Sequence, residues 1–226
     1  MMNYYSLIIP IYNEDKTLEE LLLQLKKLNK KIEIVIINDG STDKTESILN
    51  SQNLFKVIHN PINSGKGYSI INGVKSATKK NIILMDGDLE IDMLCIENLI
   101  KKFESSVDSV VVGNRWINNI DTNNYINTFG NHIFNYIFNF LYKTQLKDIL
   151  CCVKVLNKKL FNSLDLKSKR FSIEVEIMSK LARNKIKILE VGVPYIRRTN
   201  SQGKKLKISD GWFILLKMIK IRFGWL

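Results

Sequence analysis

The constraint that most limits this chain is a repeated alternation. Short runs of aliphatic side chains are each followed by a polar or glycine-rich turn and then by a helical pattern. Tyr5-Ser6-Leu7-Ile8-Ile9-Pro10 is the first run, stopped by proline. Residues 31–37, 55–58 and 81–85 repeat the pattern. Between them, Thr17 with Glu20 reads as a capping box for a helix through Lys27, with Leu18, Leu21, Leu22 and Leu25 on one face. A second helix start lies beyond Asp43, and Asn63-Ser64-Gly65-Lys66-Gly67 opens a third helix that runs to about Ala77. Near-continuous apolar strands separated by helices predict a parallel sheet covered on both faces. Ligands of such sheets bind beyond the carboxyl ends of the strands. The segments 12–14, 38–43 and 86–90 are therefore expected to converge in one crevice.

The second half continues the pattern less regularly. A helix is expected around residues 91–103, then a strand at 109–112 that ends in Gly113-Asn114-Arg115-Trp116, so Arg115 also lies at a strand end. A long helix over roughly 123–142 has Ile133, Phe134, Ile137, Phe138 and Leu141 on a broad apolar face. Asp148 precedes an apolar run at 149–155. Residues 171–183 read as a helix with Glu174 and Glu176 near its start, and 187–191 and 193–196 as further strands. A strongly basic loop at 197–207 leads to a terminal amphipathic helix at 210–226. With no internal repeat or low-complexity linker, the expected organisation is one catalytic domain at 1–208 and a C-terminal helix at 209–226.

The chemistry concentrates in Met85-Asp86-Gly87-Asp88-Leu89-Glu90. Two carboxylates around a glycine, after a buried strand, can grip a hard cation such as Mg²⁺ or Mn²⁺, which shares its shell between carboxylates and phosphates. Glu90 can add a third oxygen. Taken alone, the plainer reading is a turn that caps the next helix.

Net charge is +12, which points to a nucleic acid, an anionic membrane surface or a phosphorylated substrate, and charge alone does not choose among them. Cys95, Cys151 and Cys152 are odd in number, which argues for reduced thiols in a cytoplasmic setting. The start runs directly into a strand without a secretory signal, and no stretch reaches bilayer-spanning length.

In order, Pro10-Ile11-Tyr12-Asn13-Glu14, Asn38-Asp39-Gly40-Ser41-Thr42-Asp43, Asn63-Ser64-Gly65-Lys66-Gly67, Asp86-Gly87-Asp88 and Gly113-Asn114-Arg115 resemble the family 2 glycosyltransferases. Gly130-Asn131, Phe134-Asn135, Asp148, Phe171-Ser172-Ile173-Glu174-Val175-Glu176 and Glu190-Val191-Gly192-Val193-Pro194-Tyr195 narrow this to the dolichyl-phosphate mannose synthase group. Each motif is weak singly; their joint order over residues 5–210 is specific. The resemblance implies a GT-A fold, a mostly parallel α/β sheet flanked by helices. It also implies metal-dependent inverting transfer from a nucleotide sugar to a polyprenyl (dolichyl-type) phosphate at the cytoplasmic face of a membrane.

The same resemblance assigns roles. Pro10, Tyr12 and Glu14 would hold base and ribose, and Asp39 would read the base. Lys66, Asp86, Arg198 and Lys205 would serve the diphosphate. Asp86, Asp88 and Glu90 would hold Mg²⁺ or Mn²⁺, with Glu90 at a position where glutamine is frequent. Asp88, Arg115 and Glu174 would act in catalysis, Arg115 facing the acceptor phosphate and Glu174 or Glu176 orienting Arg115 or the sugar. His59 and His132 read as structural.

Departures leave the donor open. The usual Arg-x-x-Gly-x-Ser-Lys loop is one residue longer here, Lys204 replaces its serine, and Cys152 stands where glycine is common. GDP-mannose is the favoured donor and a UDP-sugar such as UDP-glucose the alternative. The terminal helix mixes Trp212 and Trp225 with Lys217, Lys220 and Arg222, as interfacial helices do, so a membrane surface is an expected partner. A membrane-anchor subunit is a further partner to consider. Nucleic acid is the rival of a different class. It is not expected, because no RNA-binding aromatic motif or recognition helix is found.

Overall fold

The computed structural model describes residues 4–29, 32–117, 125–198 and 208–225. Its strands are β1 (Tyr5–Ile11), β2 (Glu33–Asn38), β3 (Lys56–His59), β4 (Asn81–Leu84), β5 (Ser109–Asn114), β6 (Lys154–Asn157) and β7 (Lys187–Gly192). Its helices are α1 (Leu18–Asn29), α2 (Thr45–Asn50), α3 (Lys66–Ser76), α4 (Cys95–Glu104), α5 (Tyr125–Tyr142), α6 (Lys158–Ser163), α7 (Ile173–Arg183) and α8 (Ile208–Phe223). The strands form one sheet in the order β3-β2-β1-β4-β6-β5-β7. All pairings are parallel except those of β6, which runs antiparallel to both β4 and β5. This is the expected helix-flanked, mostly parallel GT-A sheet.

Strand periodicity divides the side chains between two cores. Leu7, Ile9, Ile11, Ile34 and Ile36 pack with Leu18, Leu21 and Leu25 of α1 and Ile96, Leu99 and Ile100 of α4. Ile8, Val35, Ile37, Ile82 and Leu84 pack on the other face with α3, α5, α6, α7 and α8. Each fully buried aliphatic side chain contributes about 1.5–3 kcal/mol, so both faces anchor the sheet. α8 belongs to this second core. Ile214, Met218 and Ile221 are buried along its length, and Tyr142 Oη donates to the Met218 carbonyl at 2.8 Å.

Several local expectations change. α4 starts at Cys95, because residues 90–92 pair with 194–196 instead. Ile196 N donates to Glu90 O at 2.8 Å, and Ile91 forms a single bridge with Tyr195. That bridge also replaces the strand expected at 193–196. Thr17 closes no box with Glu20; its hydroxyl bonds to the Glu14 carboxylate at 3.1 Å.

The chain adds β2 and β3 on one side of β1, then crosses to β4 on the other. The crevice at this reversal of strand order lies beyond the carboxyl ends of β1 and β4. α3 is brought to its edge by an unusually close approach. A Cβ on Gly67 would lie 2.1 Å from the Ser168 carbonyl oxygen, and Gly65 adopts φ +97° against the Lys169 carbonyl. Gly67→Ala is therefore expected to destabilise the fold by about 2 kcal/mol, read as a lower urea midpoint. An unchanged midpoint would contradict the close approach.

Candidate active site

On the donor side of the crevice two loops are laced together. Asn13 N donates to Ser41 Oγ at 2.9 Å, and Thr42 N donates to Asn13 Oδ1 at 2.8 Å. Glu14 N donates to Thr45 Oγ1 at 2.9 Å. Asp39, buried at the end of β2, clamps the loop before α3. Its carboxylate accepts from Gly65 N (2.7 Å), Ser64 N (3.1 Å), Ser69 Oγ (2.8 Å) and Asn60 Nδ2 (2.8 Å). So many internal bonds make Asp39 the residue that shapes this wall, beside any contact with a base.

Beyond β4 lies the acidic turn. Lys66 Nζ sits 2.8 Å from both oxygens of Asp86 and 2.7 Å from Glu174 Oε1. Glu174 Oε2 in turn meets Lys154, whose side chain is fully buried. Burial would lower the Lys66 ammonium, but Asp86 and Glu174 hold it well above its usual value. Burial would raise the Glu174 carboxyl, but Lys154 and Lys66 hold it below the usual range. Among the described residues no lysine or arginine forms an ion pair with Asp88. Burial, with Asp86 and Glu90 beside it, pushes its carboxyl up to about 7 against the Glu90 amide and Arg198.

A cation fits this donor set in part. Asp86 and Asp88 offer hard oxygens, and the raised Asp88 marks uncompensated negative charge. Glu90 instead accepts from Arg198 N at 2.9 Å. Among the described residues no three acidic, His or Cys side chains form a preformed cage. Two carboxylates with the rest of the shell left to phosphates is the usual Mg²⁺ arrangement.

Across the crevice, Arg115 is gripped side-on by Asp148. Nε donates at 2.8 Å, Nη2 at 2.7 Å and the Arg115 amide at 2.9 Å. Glu190 fixes Asp148 by accepting its amide at 2.9 Å, and also accepts Asn114 Nδ2 at 3.0 Å. The guanidinium stacks 5.2 Å from the Tyr195 ring. Thus Asp148, not Glu174 or Glu176, orients Arg115. Glu176 is buried and bonded to Lys180 and to the 167–168 amides, so neither glutamate faces solvent.

Arg198 closes one end by donating to Glu14 Oε2 at 2.7 Å and Thr17 Oγ1 at 3.1 Å. Pro10, Tyr12, Glu14 and Asp39 line the same cleft of about 770 Å³ as Lys66, Asp86, Asp88 and Glu90. Arg115, Glu174 and Arg198 line it too. Lys205 lies outside the described residues. Sequence reasoning missed Lys154 and gave Asp148 and Glu190 no role. An acidic residue just before an apolar run was the available signal for Asp148.

The acidic pair beyond β4 and the clamped Arg115 line one cleft at the switch point of the sheet, where ligands of such sheets bind. The chain belongs to glycosyl transferase family 2, matched over residues 6–165. It is 28% identical to a dolichyl-phosphate beta-glucosyltransferase of Trichomonas vaginalis, over 96% of this chain and 72% of the relative. It is 32% identical to a prophage bactoprenol glucosyl transferase homolog of Escherichia coli, over 47% of this chain and 37% of the relative. Its fold matches glucosyl-3-phosphoglycerate synthase of Mycobacterium tuberculosis, solved with Mn²⁺, UDP and phosphoglyceric acid. That match has a TM-score of 0.75 at 15% identity and covers 97% of this chain and 78% of the other.

The raised Asp88 gives a pH signature. An unfolded aspartate titrates near 3.9, so between about 4 and 7 the folded state holds an extra proton and stability falls as pH rises. A divalent cation relieves that cost only where Asp88 is ionised. Mn²⁺ is expected to raise the melting temperature more at pH 8 than at pH 5.5, and the difference is expected to vanish in Asp88→Asn. An equal Mn²⁺ gain at both pH values would contradict the assignment.

Proposed function

We propose that this protein transfers a hexose from a nucleotide sugar to a polyprenyl phosphate with inversion, with UDP-glucose as the leading donor. The observation that carries the reading is the facing of Asp86, Asp88 and Lys66 against an Arg115 clamped by Asp148 across one cleft. The relatives named as glucosyltransferases of dolichyl phosphate and bactoprenol favour glucose over the mannose suggested by the motif resemblance. GDP-mannose remains the second reading, supported by the order of motifs shared with the mannose synthase group.

Tyr12, Glu14 and Asp39 serve the nucleoside end, on the wall formed by the laced loops. Asp86 and Asp88 would hold Mg²⁺ or Mn²⁺, which would supply Lewis-acid stabilisation of the leaving diphosphate. Lys66 adds a fixed positive charge beside it, and Arg198 belongs to the same end. Glu90 holds the 198 segment rather than completing the metal set. Arg115 keeps Nη1 free of its Asp148 bonds and uses it to steer the acceptor phosphate, a geometry suited to guanidinium. A phosphate oxygen is already anionic near neutral pH. It attacks the anomeric carbon opposite the nucleoside diphosphate, forming the new C–O bond as the old one breaks, with no strong general base.

A lipid phosphate acceptor places the enzyme at a membrane surface. Among the described residues no helix is long and apolar enough to cross a bilayer. α8 instead exposes Trp212, Phe213, Leu216 and Phe223, with Trp225 beyond it, beside exposed Lys220 and Arg222. The +12 charge favours anionic headgroups by about 1 kcal/mol per basic residue near the surface.

Incubation with a panel of UDP- and GDP-sugars, polyprenyl phosphate and Mn²⁺ tests the reaction. Glycolipid is expected from UDP-glucose, with Asp88→Ala reducing the rate by ~100-fold or more. Absence of transfer from every donor, together with absence of nucleotide binding, would overturn the reading. Sedimentation with phosphatidylglycerol vesicles tests the membrane surface. Trp212→Ser with Phe213→Ser is expected to weaken binding about tenfold, and unchanged binding would remove α8 from that role.

A further inference from the structure

We propose that Lys154 is a positioning residue of the donor site: a buried cation that holds Glu174 and, through it, keeps the Lys66 ammonium available to the diphosphate. This rests on the reading of the cleft as a nucleotide-sugar site.

Lys154 lies in β6, opposite Leu84 of β4 and Val112 of β5. Those are the strands that carry Asp86 and Arg115 just beyond their ends. Its side chain has no exposed surface and does not line the cleft, so it cannot touch a substrate. Its ammonium donates to the Cys151 carbonyl and to Glu174 Oε2. A buried lysine is costly unless paired, and an apolar side chain of similar volume often fills such a position at no loss of stability. Sheet packing alone therefore does not call for a charge here.

What the charge does is divide the work of Glu174. One oxygen is occupied by Lys154 and the other meets Lys66 at 2.7 Å. Lys66 in turn spans both oxygens of Asp86 at 2.8 Å. Along the line Asp86, Lys66, Glu174, Lys154 the charges alternate and sum to zero. Without Lys154, both oxygens of Glu174 would compete with Asp86 for the single ammonium of Lys66 and draw it towards α7. With Lys154 in place, Lys66 stays tethered by one oxygen yet free to trade Asp86 for a diphosphate.

A double-mutant cycle on the full chain tests this, with titration calorimetry of UDP and GDP in Mn²⁺ as the readout. Lys154→Met is expected to weaken nucleotide binding about tenfold in the native background and less than about twofold in a Lys66→Met background. Equal losses in both backgrounds would overturn the proposal, because Lys154 would then not act through Lys66. Lys154→Met leaves Glu174 under-compensated and can impair folding, so Lys154→Met with Glu174→Gln is the second variant. It is expected to recover both the native melting temperature and most of the nucleotide affinity, because a neutral amide no longer draws Lys66 away from the diphosphate. Recovery of stability without affinity would overturn the proposal, because Lys154 would then not act by restraining Glu174. If the native chain binds neither nucleotide, the reading of the cleft itself fails; native binding with additive losses sinks the Lys154 role alone.

Discussion

The arrangement depends on how three carboxylates in one five-residue turn are kept apart from one another electrostatically. Asp86, Asp88 and Glu90 follow β4 into a half-buried cleft, where repulsion is only weakly screened. Each is treated differently. Lys66 neutralises Asp86, the Arg198 amide holds Glu90, and Asp88 is left to be protonated or to meet a cation. The loops around the turn supply these partners: Asp39 clamps the segment that presents Lys66, and the 90–92 and 194–196 pairing delivers Arg198.

The sheet makes this possible through one irregularity. β6 enters antiparallel between β4 and β5, which separates the acidic turn from Arg115 by one strand. The acidic turn and Arg115 thus line one cleft without pairing with each other. The inserted strand also carries Lys154 beneath the site. Asp148, fixed by Glu190, pairs with Arg115 much as Glu174, fixed by Lys154, pairs with Lys66.

The first four strands and the motifs beyond them were legible because near-continuous Ile and Val runs have few other uses, and because strand ends in such sheets share one edge. The insertion of β6 was not legible. Its pairing is long-range, and the run 149–155 is apolar apart from Lys154 although only Lys154–Asn157 is a strand. Lys154 was missed because a lysine in a strand reads as a surface residue. Only the fold puts Glu174, twenty positions along the chain, against it. The partner of Arg115 was misjudged for a related reason. Two acidic residues at the start of α7 suggested a role, while Asp148 stood alone ahead of an apolar run. For α8, composition identified an amphipathic helix, but the buried positions Ile214 and Met218 emerge only from packing in the core shared with α5 and α7.

The central claim is that the turn after β4 binds a nucleoside diphosphate through a divalent cation on Asp86 and Asp88. Anomalous diffraction from crystals grown with Mn²⁺ and either UDP or GDP tests it most directly. The account predicts one strong Mn²⁺ peak bridging the carboxylates of Asp86 and Asp88 to the diphosphate, with Lys66 turned from Asp86 towards the phosphates and still bonded to Glu174. A nucleotide bound in the cleft with no Mn²⁺ peak at Asp86 and Asp88, or Mn²⁺ held elsewhere, would contradict it.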